Sequence, residues 1–292
     1  MKRSAGFLLV VMVVAGAVHL GTAQQTPPGP PKVLTIFREF VKPGKGGMPH
    51  EKAESAFVQA SQQAKWPTHY FAVTSLSGKP RALFLTGYDS FAAWEKDNQA
   101  TQKNTTFSQT LDRAAVADGE LLSDADSGTF AYREDYSLHA PVDIPHMRYF
   151  EISVYRVKPG HDKDWDDGMK MVLAAYEKIP DIHWACFQAV YGAPEGTFLF
   201  FTPLKSLTET DRMLAQNKQF EAAMGEAGMK KLRELSAATI ELSETNLFQF
   251  APKMSYPPDE WIKADPNFWK PKAAAAVARV AKKPVEKAAA KQ

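Results

Sequence analysis

Six residues carry the groups that a small-molecule site would use: the carboxylates of Glu39 and Glu151, the phenols of Tyr70 and Tyr155, the imidazole of His183 and the indole of Trp184. Aromatic faces hold an apolar body, and a few placed polar groups orient it. The case for grouping them rests on strand periodicity. Phe150, Ile152 and Val154 alternate with Glu151, Ser153 and Tyr155, the period of two that marks a strand with unlike faces. If the apolar set packs on helices, Glu151, Ser153 and Tyr155 point into an interior cavity, with Thr35, Phe37 and Glu39 as counterparts from an earlier run. The same reasoning offers Tyr70, Thr74, Trp184, Gln188 and Cys186 from two hairpins. The plainer alternative is that Glu39, Glu151 and Tyr155 satisfy one another, or Arg38 and Arg156. No residue is assigned a catalytic role, although His183 or Glu151 would have to serve as the base in an enzyme. His69 and His183 open equivalent strands, which favours a positional role over a single catalytic one.

The elements that must position these groups occur twice. The run 34–41 followed by Lys42-Pro43-Gly44 returns as 150–157 followed by Lys158-Pro159-Gly160. A period above a hundred residues is too long for a solenoid or propeller unit and means duplication of a small domain. After the second turn, Trp165, Met169, Val172, Leu173 and Tyr176 fall on one stripe of a helix. Its first copy places Ala53, Ala56, Phe57, Ala60 and Ala64 on a stripe that Pro67 stops. Hairpins are expected over 69–76 with 82–86 and over 183–190 with 197–202, then helical sequence over 90–116 and 206–237 with breaks near Gly225 and Gly228. Closing strands are read over 128–138 and 238–250.

The order in each copy is strand, helix, strand, strand, helix, strand. That is a ferredoxin-like βαββαβ module in an α+β fold, and two antiparallel sheets facing each other as a barrel-like pseudo-dimer would cover both free faces. The Lys-Pro-Gly turn, the hairpin and the tandem order resemble the dimeric alpha/beta barrel superfamily, within it NIPSNAP-like and antibiotic-biosynthesis-monooxygenase-like proteins, over about 32–252. The resemblance implies cofactor-free oxygenases, haem-handling enzymes, small isomerases and lyases, or proteins without activity. It leaves open three readings: a binder of a small, largely apolar molecule, a cofactor-independent oxygenase or haem-handling enzyme, and a structural or interaction protein.

Other chemistries find no support. His161 with Asp162, Asp164 and Asp166 sits at a helix start, where acids suit the dipole, so no metal site is expected. No cofactor is expected either, with haem left open because one histidine suffices as an axial ligand. The motifs GxGxxG, GxxxxGK[ST], GxSxG and CxxCH do not occur.

The ends suggest an address. Lys2 and Arg3, the apolar run 7–18 and the small residues Gly21-Thr22-Ala23 read as a signal peptide over 1–23, giving a periplasmic or extracellular protein. The modules are placed at 32–141 and 147–252, an aromatic and proline-rich strap at 253–270, and a basic Ala/Lys-rich tail at 271–292. The tail holds Lys272, Arg279, Lys282, Lys283, Lys287 and Lys291 against Glu286, so the net charge of +2 conceals an acidic body. The tail could contact an anionic envelope surface or merely be solvated. Nucleic acid is not an expected partner for an acidic body. Cys186 is the only cysteine, so no internal disulfide can form. A monomer completes the pseudo-dimer, and an edge strand would leave a higher oligomer open.

Overall fold

The computed structural model describes residues 29–140 and 142–270; the expected signal peptide and basic tail lie outside the described residues. Each half repeats one order of elements. The first runs β1 (Val33–Val41), α1 (Met48–Ala64), β2 (Tyr70–Ser75), β3 (Arg81–Tyr88), α2 (Phe91–Lys103), α3 (Thr105–Gly119) and β4 (Leu122–Leu138). The second runs β5 (Tyr149–Val157), α4 (Asp162–Tyr176), β6 (Trp184–Tyr191), β7 (Thr197–Leu204), α5 (Thr208–Thr239) and β8 (Ile240–Phe250). The two Lys-Pro-Gly turns place Gly44 at φ +75° and Gly160 at φ +82°, a region glycine enters without a Cβ penalty.

Helix boundaries follow local chemistry. Helix α1 ends in Lys65 at φ 47°, ahead of Pro67. The helical stretch after β3 divides at Asn104, whose side chain accepts a hydrogen bond from the Phe107 amide and caps α3. Helix α5 is broken at Gly225, where φ 67° and ψ 169° are not helical. Strand β4 begins at Leu122, earlier than the apolar alternation suggests, because the exposed Asp124 and Asp126 still pair with β1. Among the described residues no helix is long and apolar enough to cross a membrane.

All eight strands close one antiparallel barrel in the order β1-β3-β2-β8-β5-β7-β6-β4. Each module contributes a four-stranded sheet, and two seams join them. At one seam β4 meets β6 between Thr129↔Tyr191 and Leu138↔Trp184; at the other, β2 meets β8 through Val73↔Phe250, Thr74↔Gln249 and Ser75↔Phe248.

The barrel interior is apolar, and a cavity of about 370 Å³ bounded by Ile36, Leu83, Phe130, Ile152, Phe201 and Phe248 enters it from one end. Leu34 and Ile36, Val73, Leu83 and Leu85, Phe130, Phe150 and Ile152, Phe187, Leu199 and Phe201, and Phe248 and Phe250 form one buried cluster drawn from every strand. This reverses the expected orientation of the strand faces. Phe150 and Ile152 point into the barrel, and Glu39, Glu151, Ser153 and Tyr155 point out beneath the helices. Alternation distinguishes two faces but does not say which is inside, and here both faces are covered.

The strap closes one end of the barrel. It consists of a short turn at Pro252–Met254, α6 (Asp259–Ala264) and α7 (Pro266–Trp269). The Trp269 indole N–H donates to the Pro145 carbonyl at 2.8 Å, and its ring meets Phe250 edge-on at 6.0 Å. Trp261 lies 5.4 Å from Phe71, and Arg148 pairs with Asp265 while stacking 3.9 Å over Phe268. The other end is a mouth lined by Arg38, Arg81 and Arg156, each paired with an acid: Asp126, Glu244 and Glu241 respectively. Trp269→Ala is expected to cost about 3–5 kcal/mol, the usual range for removing a buried large aromatic, as read from urea unfolding.

Candidate functional site

The cavity inside the barrel is walled mainly by apolar side chains, and the larger space and the buried titratable groups lie on the outer faces of the sheet, under the helix pairs. In the second half a cavity of about 480 Å³ lies between β5–β7 and helices α4 and α5. Its walls include Trp165, Met169, Tyr176, Phe200 and Phe220. Trp165 stacks on Phe198 at 5.0 Å, Tyr176 stacks on Phe220 at 4.5 Å, and Tyr155 tilts against Trp165 at 5.7 Å. Four of the six residues singled out from the sequence, Glu151, Tyr155, His183 and Trp184, line this cavity.

Their roles differ. Burial pushes the Glu151 carboxyl above the ordinary carboxylate range. Burial also raises the Tyr155 phenol, with a smaller upward contribution from Glu151 against a lowering hydrogen bond from Ser243. The Trp184 indole N–H is already used, donating to the Tyr136 carbonyl at 2.7 Å. His183 Nε2 lies 2.9 Å from the Pro203 carbonyl, which can only accept, so Nε2 carries the proton and Nδ1 is the basic nitrogen. Three other lining residues, Trp165, Thr210 and Thr239, each hold a buried polar atom with no hydrogen-bond partner: Nε1, Oγ1 and Oγ1.

The remaining two residues, Glu39 and Tyr70, lie in the other half, so the six do not form one site. Glu39 projects from β1 toward α1 and α3 and meets a polar cluster that strand alternation did not reveal. His50 Nε2 lies 2.8 Å from Glu39 Oε2 and 3.5 Å from Asp118 Oδ1. Glu39, His50, Glu54 and Asp118 are 4, 2, 3 and 2% exposed, and each offers an atom within 4.8 Å of the others. The sequence reading expected no metal site; the fold brings together four residues of ligand type. The available signal was the spacing of His50 and Glu54, four apart on one face of α1, whereas Asp118 arrives from α3 and only the tertiary fold supplies it.

Crowded acids cannot all ionise in such a place. Burial first, then the charges of Glu39 and Asp118, push Glu54 up to about 10. Burial and the Glu39 charge push Asp118 up to about 6 against the lowering pull of His50. Burial, then Glu54 and Glu39, also raise the Tyr70 phenol.

The cluster and the cavity occupy equivalent places. The amide of Lys42 bonds Leu121 at the end of the first helix pair, and that of Lys158 bonds Thr239 at the end of α5. Strand β1 shifts register between Phe40 and Val41, and β5 does so between Arg156 and Val157. Two ferredoxin-like modules, helices outside, therefore share one closed barrel. This is the dimeric α/β barrel fold, built within a single chain.

No protein-family model and no curated protein matches the sequence. Solved structures similar to this barrel include a candidate monooxygenase from Fusobacterium nucleatum subsp. nucleatum ATCC 25586, at 14% identity over 76% of this chain and 93% of that one, with TM-score 0.48. An anthrone oxidase-like protein shares 14% identity over 75% and 92% of the two chains, with TM-score 0.47. The chlorite dismutase of Candidatus Nitrospira defluvii in complex with imidazole shares 11% identity over 80% and 95%, with TM-score 0.45. These likenesses carry none of the site residues across.

The cluster gives a pH prediction for the metal-free chain. Glu54 faces Glu39 from β1, His50 from its own helix, Asp118 from α3 and Tyr70 from β2, and its folded value lies above its unfolded one. Its stabilising contribution is complete below the ordinary carboxylate range and is lost as pH rises toward about 10. Urea unfolding in EDTA should show stability falling from about pH 5 to about pH 9. Glu54→Gln should reduce that fall by about 1.4 kcal/mol or more, the equivalent of one pKa unit.

Proposed function

We propose that this chain is an exported protein that binds a small, largely apolar molecule bearing a hydrogen-bond acceptor, in the cavity beneath α4 and α5. The observation that carries this reading is the pairing of an aromatic and thioether wall with unpartnered polar atoms on Trp165, Thr210 and Thr239. A buried donor without a partner costs about 1–3 kcal/mol, and a ligand oxygen would relieve it. Glu151, with its raised carboxyl, is the group in the cavity best suited to move a proton should the ligand be turned over.

The test is native mass spectrometry of the chain from its own cells, with a fluorescence titration using anilinonaphthalene sulfonate. A Cβ added to Gly168 would meet Leu232 at 3.9 Å, an ordinary contact, and the rest of a leucine side chain would project toward the cavity that Gly168 lines, so Gly168→Leu, with its fold checked by circular dichroism, is the variant to fill the space. An added mass and probe binding in the natural chain, both lost in Gly168→Leu, are expected. Neither signal in the natural chain, or both undiminished in the variant, would overturn the reading.

Haem handling is the second reading, and His183 favours it. A ligating imidazole usually donates its other N–H to a carbonyl or carboxylate, and His183 already does so toward Pro203, so His183 is the residue that would hold the iron, through Nδ1. Bound haem would supply redox chemistry at its iron. A Soret band that disappears in His183→Ala would select this reading over the first.

Export rests on Lys2, Arg3, the apolar run 7–18 and Gly21-Thr22-Ala23. Intact-mass analysis of the secreted fraction should find a chain beginning at Gln24.

A further inference from the structure

We propose that Glu39, His50, Glu54 and Asp118 bind one divalent transition-metal ion of the manganese, iron or zinc type inside the first half, at a site separate from the cavity beneath α4 and α5. The four come from three elements that only the fold unites: β1, one face of α1, and the last turn of α3. All are at most 4% exposed, and their candidate donor atoms lie within 4.8 Å of one another, a span one ion can bridge.

A second observation points to a ligand. Glu54 Oε1 and Asp118 Oδ1 are buried without a hydrogen-bond partner, and so is the hydroxyl of Tyr70, a residue outside the cluster whose phenol responds to Glu54 and Glu39. Buried polar atoms are almost always satisfied, so two orphaned carboxylate oxygens inside the cluster, with an orphaned phenol that the cluster's charges reach, mark a place built for something more. Among the described residues, no lysine or arginine forms an ion pair with Glu39, Glu54 or Asp118. A cation would supply the missing positive charge.

The donor set narrows the ion. Calcium takes six to eight oxygen ligands, and magnesium keeps several waters. One imidazole with three carboxylates in a closed, dry setting suits manganese, iron or zinc instead. On binding, the carboxyls give up any protons they hold to solvent, and His50 ligates as a neutral imidazole whose one N–H sits on the nitrogen away from the metal, so a ring proton leaves only from the charged imidazolium, with no change of oxidation state. In the second half, Tyr155 follows the same strand position as Glu39, and α4 presents Trp165 and Met169 to the equivalent space, so one ion per chain is expected.

The experiment uses the full chain, stripped with EDTA and dialysed. Zinc and manganese chloride are titrated calorimetrically in two buffers of different ionisation enthalpy, bound metal is counted by plasma mass spectrometry, and thermal unfolding is followed alongside. The expected result is one zinc or manganese ion per chain, proton release, a higher melting temperature, and no comparable effect from calcium or magnesium. Glu54→Gln and His50→Gln should each weaken binding by about tenfold or more, since losing a ligand should cost no less than losing an outer partner. His161→Ala, on the surface pair with Asp164, should leave binding unchanged. The natural chain alone decides the matter even if a variant fails to fold: fewer than one ion bound at saturation, or binding of calcium as tight as zinc, overturns the proposal. Unaltered affinity in folded Glu54→Gln and His50→Gln overturns it equally.

Discussion

The packing of the barrel interior sets the terms for the rest of the molecule. Phe130, Phe150, Phe187, Phe201, Phe248 and Phe250 converge there with aliphatic residues from β1, β2, β3, β5 and β7, so the space that enters from the arginine-lined mouth has apolar walls. Where these side chains pack on one another, every added or lost methylene is felt. The buried titratable cluster and the aromatic cavity lie on the outer face of the sheet, where helices rather than strands form the second wall. Each half has one such space. Both lie between a four-stranded sheet and the helix pair that crosses it.

What fills those two spaces is opposite in kind. In the first half, Glu39, His50, Glu54 and Asp118 close on one another and leave a polar point. In the second, Trp165, Met169, Tyr155 and Phe200 line an apolar volume. Fusion makes this divergence possible. Two separate identical chains would have to carry the same residues at both places, whereas a tandem chain can alter one copy and retain the other. The common framework is kept by backbone features: the Lys-Pro-Gly turns, the matching register shifts in β1 and β5, and the helix ends held by Lys42 and Lys158.

Much of the architecture was legible in the sequence because it depends on local signals. The repeated turn, the alternation in β5, the amphipathic stripe of α4 and the break at Gly225 each lie within a short window. The direction of the strand faces was not legible, since Phe150 and Glu151 belong to a strand covered on both sides and period-two alternation is symmetric to that question. The start of β4 was hidden for a related reason: Asp124 and Asp126 are paired through their backbone while their side chains remain in solvent. Glu151, Tyr155, His183 and Trp184 do share a wall, yet Glu39 and Tyr70 belong elsewhere, because the duplication that linked them also separated them. Asp118 carried no signal at all until α3 packed beside α1.

The two seams of the barrel are unequal. The β4–β6 seam is long, whereas β2 and β8 share three paired positions before the chain turns away. The strap continues that short seam by other means: the Ala251 amide bonds the Ala72 carbonyl, Ser255 Oγ accepts from the Ala72 amide, and Tyr256 and Tyr70 exchange backbone hydrogen bonds. A closed ring of strands has no free edge only while every seam holds. The residues after β8 thus act as a clasp, and the chain's resistance to edge-to-edge association with its own copies depends on a segment that contributes no strand to the barrel.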